Sequence, residues 1–263
     1  MGQAKGDDVD RPLMMEQSAA AMQGADRRTR RIRIAQVDAV AGAVFLLALL
    51  LSLCGTAVTY FSDNAVLHRL AELFLFEEER NLPTLLNFTL LVANMVAMSA
   101  VALFAFGGGD RWRWHWLLLA LMFLFLAYDE AAQVHEGLNR VMEGVVDASG
   151  FLAFAWVVPG MAAVLLAGLA FSRFLLALPR RNAVLFVLAG ALFVGGALGV
   201  EMIGANLWWS HGWDNVAYSL LATVEEALEM TGLIVLLHAT LDVLAGPGGA
   251  LRLELRRAGQ GDR

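Results

Sequence analysis

IAQVDAVAGAVFLLALLLSLCGTAVTYF, residues 34–61, reads as one membrane-crossing helix. A helix needs about 20 predominantly apolar residues to cross a hydrocarbon core about 30 Å thick, and this run exceeds that. Comparable stretches recur at about 84–106, 114–137, 151–178, 183–206 and 216–244. The expected fold is therefore all-α: a polytopic membrane bundle of about six transmembrane helices. Composition agrees. Of 263 residues, 59% are hydrophobic and 17% charged, with mean hydropathy +0.61, whereas soluble domains carry about 25% charged residues.

Three regions follow. Residues 1–33 are polar and end in a basic run, Arg27, Arg28, Arg30, Arg31 and Arg33, expected as a disordered cytoplasmic tail. Residues 34–245 form the helical domain, and 246–263 a second cytoplasmic tail. No apolar core of signal-peptide type precedes Ile34, so the first span is expected to act as an uncleaved anchor. Lys and Arg collect in the cytoplasmic loops of membrane proteins. That rule accounts for the basic run without nucleic-acid binding. It also places Arg111, Arg113, Arg173, Arg180, Arg181, Arg252, Arg256 and Arg257 on one side. Glu72, Glu77, Glu78, Glu79, Glu143, Asp147 and Asp214 fall on the other. Both termini are expected inside, in a bacterial inner membrane.

Trp112, Trp114 and Trp116 would form an inner aromatic belt, and Trp208, Trp209 and Trp213 an outer one. Leucines spaced among charges over Asn64–Arg80 predict an amphipathic helix on the outer surface. Pro83 suits the first turn of the second span. Gly195 and Gly199, a GxxxG pair, predict close packing of the fifth span. Cys54 is the only cysteine, which excludes an intramolecular disulfide and any Cys-based zinc or iron–sulfur site within one chain.

The informative anomaly is acid in hydrocarbon. Asp129, Glu130, His135 and Glu136 lie on the third stretch, Glu201 on the fifth, and Glu225, Glu226 and Glu229 on the sixth. Each carboxylate there costs roughly 2.5–3.5 kcal/mol on the insertion scale, and such residues usually mark function. At 1.5 Å per residue, Asp129 lies roughly 22 Å along the third helix. Glu201 lies roughly 27 Å along the fifth, and Glu225 to Glu229 roughly 14–20 Å from the outer end of the sixth. The acids converge on the outer half of the bilayer. A continuous third helix puts Asp129, Gln133 and Glu136 on one face, and Tyr128, His135 and Asn139 on the next. Glu77, Glu78 and Glu79 would close the site from above, and Arg140 would neutralise Glu136. The expected ligand set is Asp129, Glu130, His135, Glu136, Glu201, Glu225, Glu226 and Glu229, supported by Glu79, Gln133, Tyr128, Asn139 and Arg140.

Carboxylates from several helices with an imidazole resemble a two-metal centre in a helical bundle, although the Glu-x-x-His pair of such centres is absent. Iron, manganese or zinc suits these donors. Residues 123–136, 80–84 (Arg-Asn-Leu-Pro-Thr) and 224–230 (Val-Glu-Glu-Ala-Leu-Glu-Met) resemble those of a group of uncharacterised bacterial multi-pass membrane proteins. The resemblance spans most of residues 34–245. It implies six helices and a shared acidic site, and no established activity.

Three functional classes remain open. One is a metal-binding site near the outer face, with metal-assisted oxidation or hydrolysis of a small or lipid substrate. The second is a proton- or cation-coupled transporter. The third is a structural or accessory membrane subunit. Expected partners are the lipid bilayer and a small-molecule, lipid or ion substrate, not nucleic acid. His115 and His238 are the only candidate axial pair for a haem. No nucleophile motif or phosphate-binding loop occurs.

Overall fold

In lipid, backbone N–H and C=O groups find no solvent partner, so each long apolar run satisfies its own as a helix. A computed structural model, which describes residues 29–78, 80–142, 144–245 and 250–254, contains six helices long and apolar enough to cross a membrane. They are α1 (Ile34–Phe61), α3 (Leu82–Gly107), α4 (Arg113–Ala132), α6 (Val157–Ala177), α7 (Arg180–His211) and α8 (Val216–Ala245). Two shorter helices, α2 (Ala65–Ala71) and α5 (Val134–Met142), lie between spans. A 3-10 turn covers Gly150–Leu152. A short ribbon pairs β1 (Thr29–Arg33) antiparallel with β2 (Ala250–Glu254). The two ends of the helical domain therefore lie on one face, here the ribbon face. The opposite one is the α2 face.

α3 and α8 are the most enclosed spans. α8 packs on α1, α3 and α7, while α3 packs on α4. Their shared core holds Leu91, Met98, Phe174, Met230 and Leu233, all essentially inaccessible. α1 and α6 are the least enclosed spans, with Leu46, Leu47, Leu165 and Leu166 exposed.

Helix ends follow local chemistry. The Asn64 side chain accepts from the Val66 and Leu67 N–H groups and starts α2. The Asn81 side chain accepts from the Thr84 N–H, with Pro83 in the first turn of α3. The surface helix expected over Asn64–Arg80 is shorter than its leucine pattern suggests. It stops at Ala71, and the chain turns to bury Leu75 and Phe76. The Phe76 N–H donates to Ser52 Oγ at 3.1 Å, tying this segment to α1.

The third apolar stretch does not continue to residue 137. It ends at Ala132 because Gln133 adopts a left-handed conformation, φ 54°. The glycine packing also differs. A Cβ on Gly195 or Gly199 would meet nothing within 4 Å, whereas one on Gly196 would lie 2.7 Å from the Glu225 carbonyl oxygen. Gly232 likewise admits the backbone of Ala189 and Phe193. The reason is a π-helical segment, Gly195–Val200, inside α7. Its extra residue per turn rotates the glycine face that meets α8.

Candidate functional site

The break at Gln133 organises one side of the site. The Arg80 guanidinium donates to Gln133 Oε1 at 2.6 Å. Arg80 (φ 60°) and Gln133 are the only non-glycine residues with positive φ among the described residues. Two strained residues bonded to each other are held by tertiary structure, and such strain gathers at functional places. Beyond the break, Asp129 Oδ1 accepts from the His135 N–H at 2.8 Å, and Asp129 Oδ2 lies 3.0 Å from His135 Nδ1. Asp129 therefore fixes both the first turn of α5 and the ring of His135.

The helical phase projected through residue 137 is accordingly corrected. Asp129, Gln133 and Glu136 do not share one helical face, because the chain reverses its local hand at Gln133. Tyr128 is 61% exposed. Glu136 is exposed at the rim, within electrostatic reach of Tyr218. Arg140 is exposed and belongs to none of the three ion pairs among the described residues. Glu79 lies outside the described residues, as do most of the two tails.

The Glu225 and Glu201 carboxyls are within hydrogen-bonding reach of each other, with Glu229 and Glu226 close by. Glu229 in turn neighbours Glu226, Glu130 and Glu201. The Asn87 side chain hydrogen-bonds both Glu130 and Glu229, joining α3, α4 and α8. A hydrogen bond between two carboxyls needs a proton on one of them, since a carboxylate only accepts. The Gly196 contact lets α7 approach α8 closely enough to bring Glu201 to Glu225.

Trp156, just before α6, is the keystone that the sequence reading missed. Its indole N–H donates to Glu201 Oε1 at 3.0 Å, and its backbone N–H donates to Asn139 Oδ1 at 2.9 Å. Its ring also lies 5.2 Å from the His135 ring. The available signal was chemical: a half-buried Trp needs a partner for its N–H. Tyr218 was also missed; it stands among Glu201, Glu225, Glu77 and Glu136.

On the α2 face outside the spans, burial pushes the Glu77 carboxyl above the usual carboxylate range. The Ser219 hydroxyl, donating to it, opposes that shift, and the Glu78 charge adds to it. The Tyr60 and Ser219 hydroxyls lie 2.9 Å apart, so α1 and α8 meet at this point.

Among the described residues, no group of three or more His, Cys, Asp or Glu side chains is placed to hold a metal ion. The haem pair is not formed by two open imidazoles. His238 Nδ1 lies 2.8 Å from Asp38 Oδ2, with Arg181 3.4 Å from Nε2. His115 stacks on Phe174.

Fold and site together define a polytopic, six-span helical membrane protein that carries acidic side chains inside its bundle. Residues 29–244 match a family described as a domain of unknown function, DUF8692, and the chain belongs to that family. No curated protein and no solved structure matches it.

Proposed function

We propose that the acids of α4, α7 and α8 form a site that binds protons, or a small cation in their place, in a proton- or cation-coupled membrane transporter. The contact between Glu201 and Glu225 carries this reading. None of the three ion pairs among the described residues involves Glu201, Glu225 or Glu229. Glu225 and Glu229 neighbour one another, further acids, the Asn87 amide and, for Glu225, Tyr218. Charge in such a place is balanced by protons or by a bound cation. The proposed orientation puts both termini in the cytoplasm of a bacterial cell and opens the site outward, following the Arg-rich loops.

Infrared difference spectroscopy of the protein in lipid nanodiscs tests the reading. A protonated-carboxyl band at neutral pH is expected in the wild type, lost or shifted in Glu225→Gln. Absence of that band, together with no stoichiometric bound cation, would refute it.

One observation favours a second reading, a carboxylate-ligated iron, manganese or zinc centre. Asp129 holds His135 through Nδ1, as carboxylates orient metal-binding imidazoles. His135→Ala and Glu226→Gln should then each lower the metal content of purified protein by elemental analysis. Less than about a tenth of an equivalent in wild-type protein after reconstitution rejects this reading.

A further inference from the structure

We infer that the acid site is one end of a proton route that crosses the whole bundle, through Asn87 and Asn94 of α3 to a second polar network around His238. This rests on the proton reading above and adds a path and an exit.

The route is marked first by two amides. Asn87 and Asn94 are 1% and 0% exposed, and the Oδ1 atom of each has no hydrogen-bond partner. A buried acceptor without a partner is costly and uncommon in native proteins. The two residues are seven apart, two helical turns, so they lie on one face of α3, roughly 10 Å from each other along the axis. That face is the seam with α8. Asn94 Nδ2 donates to the Leu233 carbonyl at 3.0 Å, and Asn87 reaches Glu229. Two acceptors spaced along a seam that begins at Glu130 and Glu229 are sites for water. A water held at each would accept a proton from one neighbour and pass one on.

The second mark is the network toward the ribbon face. His238 follows Leu233 by five residues, about 7–8 Å along α8. A proton crossing that distance would need two or three transient waters at about 2.8 Å spacing. His238 Nδ1 lies 2.8 Å from Asp38 Oδ2. Arg181 stands 3.4 Å from Nε2 and donates to Asp242 Oδ2 at 3.0 Å. Asn182 Nδ2 also donates to Asp242 Oδ2. Because Arg181 only donates, Nε2 accepts from it and Nδ1–H donates to Asp38. The Arg181 side chain is 66% exposed, so the network reaches the end of the bundle. In one transfer Arg181 turns away from Nε2, His238 gains a proton there and releases the Nδ1 proton, and a ring flip then restores the starting tautomer. Asp38 takes it and gives it up to solvent. One proton crosses, and no electron moves. Met98 and Leu237, buried beside the seam, form the narrow apolar stretch of this route.

The test is proton flux into liposomes of purified full-length chain, with a trapped pH-sensitive dye and the membrane potential clamped by potassium and valinomycin. Wild-type protein should equilibrate an imposed pH step at least tenfold faster than protein-free liposomes. Asn94→Leu, which keeps volume and removes the acceptor, should return the rate to that background, as should His238→Phe. Asn94→Gln, which keeps an amide, should retain most of the flux, separating loss of the route from loss of fold. Wild-type flux equal to protein-free liposomes, or undiminished flux in Asn94→Leu, overturns the route. The acid-site reading fails separately: it is judged by the Glu225-dependent carboxyl band, which Asn94→Leu should leave in place.

Discussion

Replacing Gly196 by alanine adds one methyl group at the tightest point between α7 and α8. The new Cβ would lie 2.7 Å from the Glu225 carbonyl oxygen, 3.0 Å from Glu229 Cγ and 3.3 Å from the Glu229 backbone nitrogen. Restoring ordinary contact near 3.5 Å requires the helices to part by about 0.8 Å. Two of the three atoms are backbone, so no side chain can swing aside to absorb the change. Overpacking of this kind costs about 1–3 kcal/mol. Against it stands the gain of roughly 0.5–1 kcal/mol for replacing a helical glycine by alanine. Gly195→Ala supplies the control, because its Cβ meets nothing within 4 Å. The helix-propensity gain is common to both variants, so their difference isolates the clash. That difference should be about 1–3 kcal/mol, or roughly 5- to 160-fold in the unfolding equilibrium constant. Reversible unfolding in mixed dodecyl maltoside and sodium dodecyl sulfate micelles, followed by tryptophan fluorescence, measures it. Gly196→Ala should also weaken the Glu201–Glu225 contact and shift the carboxyl band. Equal stability of the two variants would show that α7 and α8 are not in contact at Gly196, and the argument for Glu201 meeting Glu225 would go with it.

Trp156→Phe removes the indole N–H that donates to Glu201 while keeping most of the ring. The expected loss is about 1–2 kcal/mol in the same unfolding assay, and a change under a few tenths would deny Trp156 its bridging role. Glu77→Gln tests pH dependence. The folded-state carboxyl binds its proton more tightly than the ordinary value of 4.5, so its contribution to stability is complete below that value. The contribution is lost as pH rises through the raised one. The variant should match wild type near about pH 4 and become relatively more stable toward about pH 8; the opposite trend refutes the assignment. Single cysteines in a Cys54→Ala background test orientation. A cysteine at position 68 should label from outside intact cells and one at position 109 only after permeabilisation. The reverse pattern would invert the proposed topology.

The six spans were legible because length and apolarity decide them: a lipid-exposed backbone survives only as helix or closed β-barrel, and runs of about 20 or more apolar residues suit the helix. The depths of Glu201, Glu225 and Glu229 along their helices motivated a shared site, and their neighbour relations are the part that depth alone leaves open. Phase was less secure. Gln133 carries no helix-breaking signature, and its left-handed conformation accompanies a bond from Arg80, 53 residues away. The π segment is equally silent, since Gly195 and Gly199 spell a packing motif while Gly196 makes the contact. Acids on the ribbon side were undercounted. Asp38 was read as part of an apolar run, and its partner His238 lies 200 positions away. Only the packing of α1 on α8 brings them together. Asn87 and Asn94 were overlooked, although two amides at helical spacing in a span are a polar anomaly in hydrocarbon like the acids themselves.

The π segment also tells how α7 tolerates changes of length. One surplus residue sits between two halves that each hold their own neighbours: Arg180–Val194 against the ribbon-side half of α8, and Glu201–His211 beside the 3-10 turn and Trp156. Deleting one residue at Gly199 would convert the segment to plain α-helix and leave both halves in place. Deleting one at Ala191 would instead swing part of the helix by about 100° and lift it one residue along its axis. Homologous chains are thus expected to gain or lose a single residue within 195–200, and not elsewhere in α7.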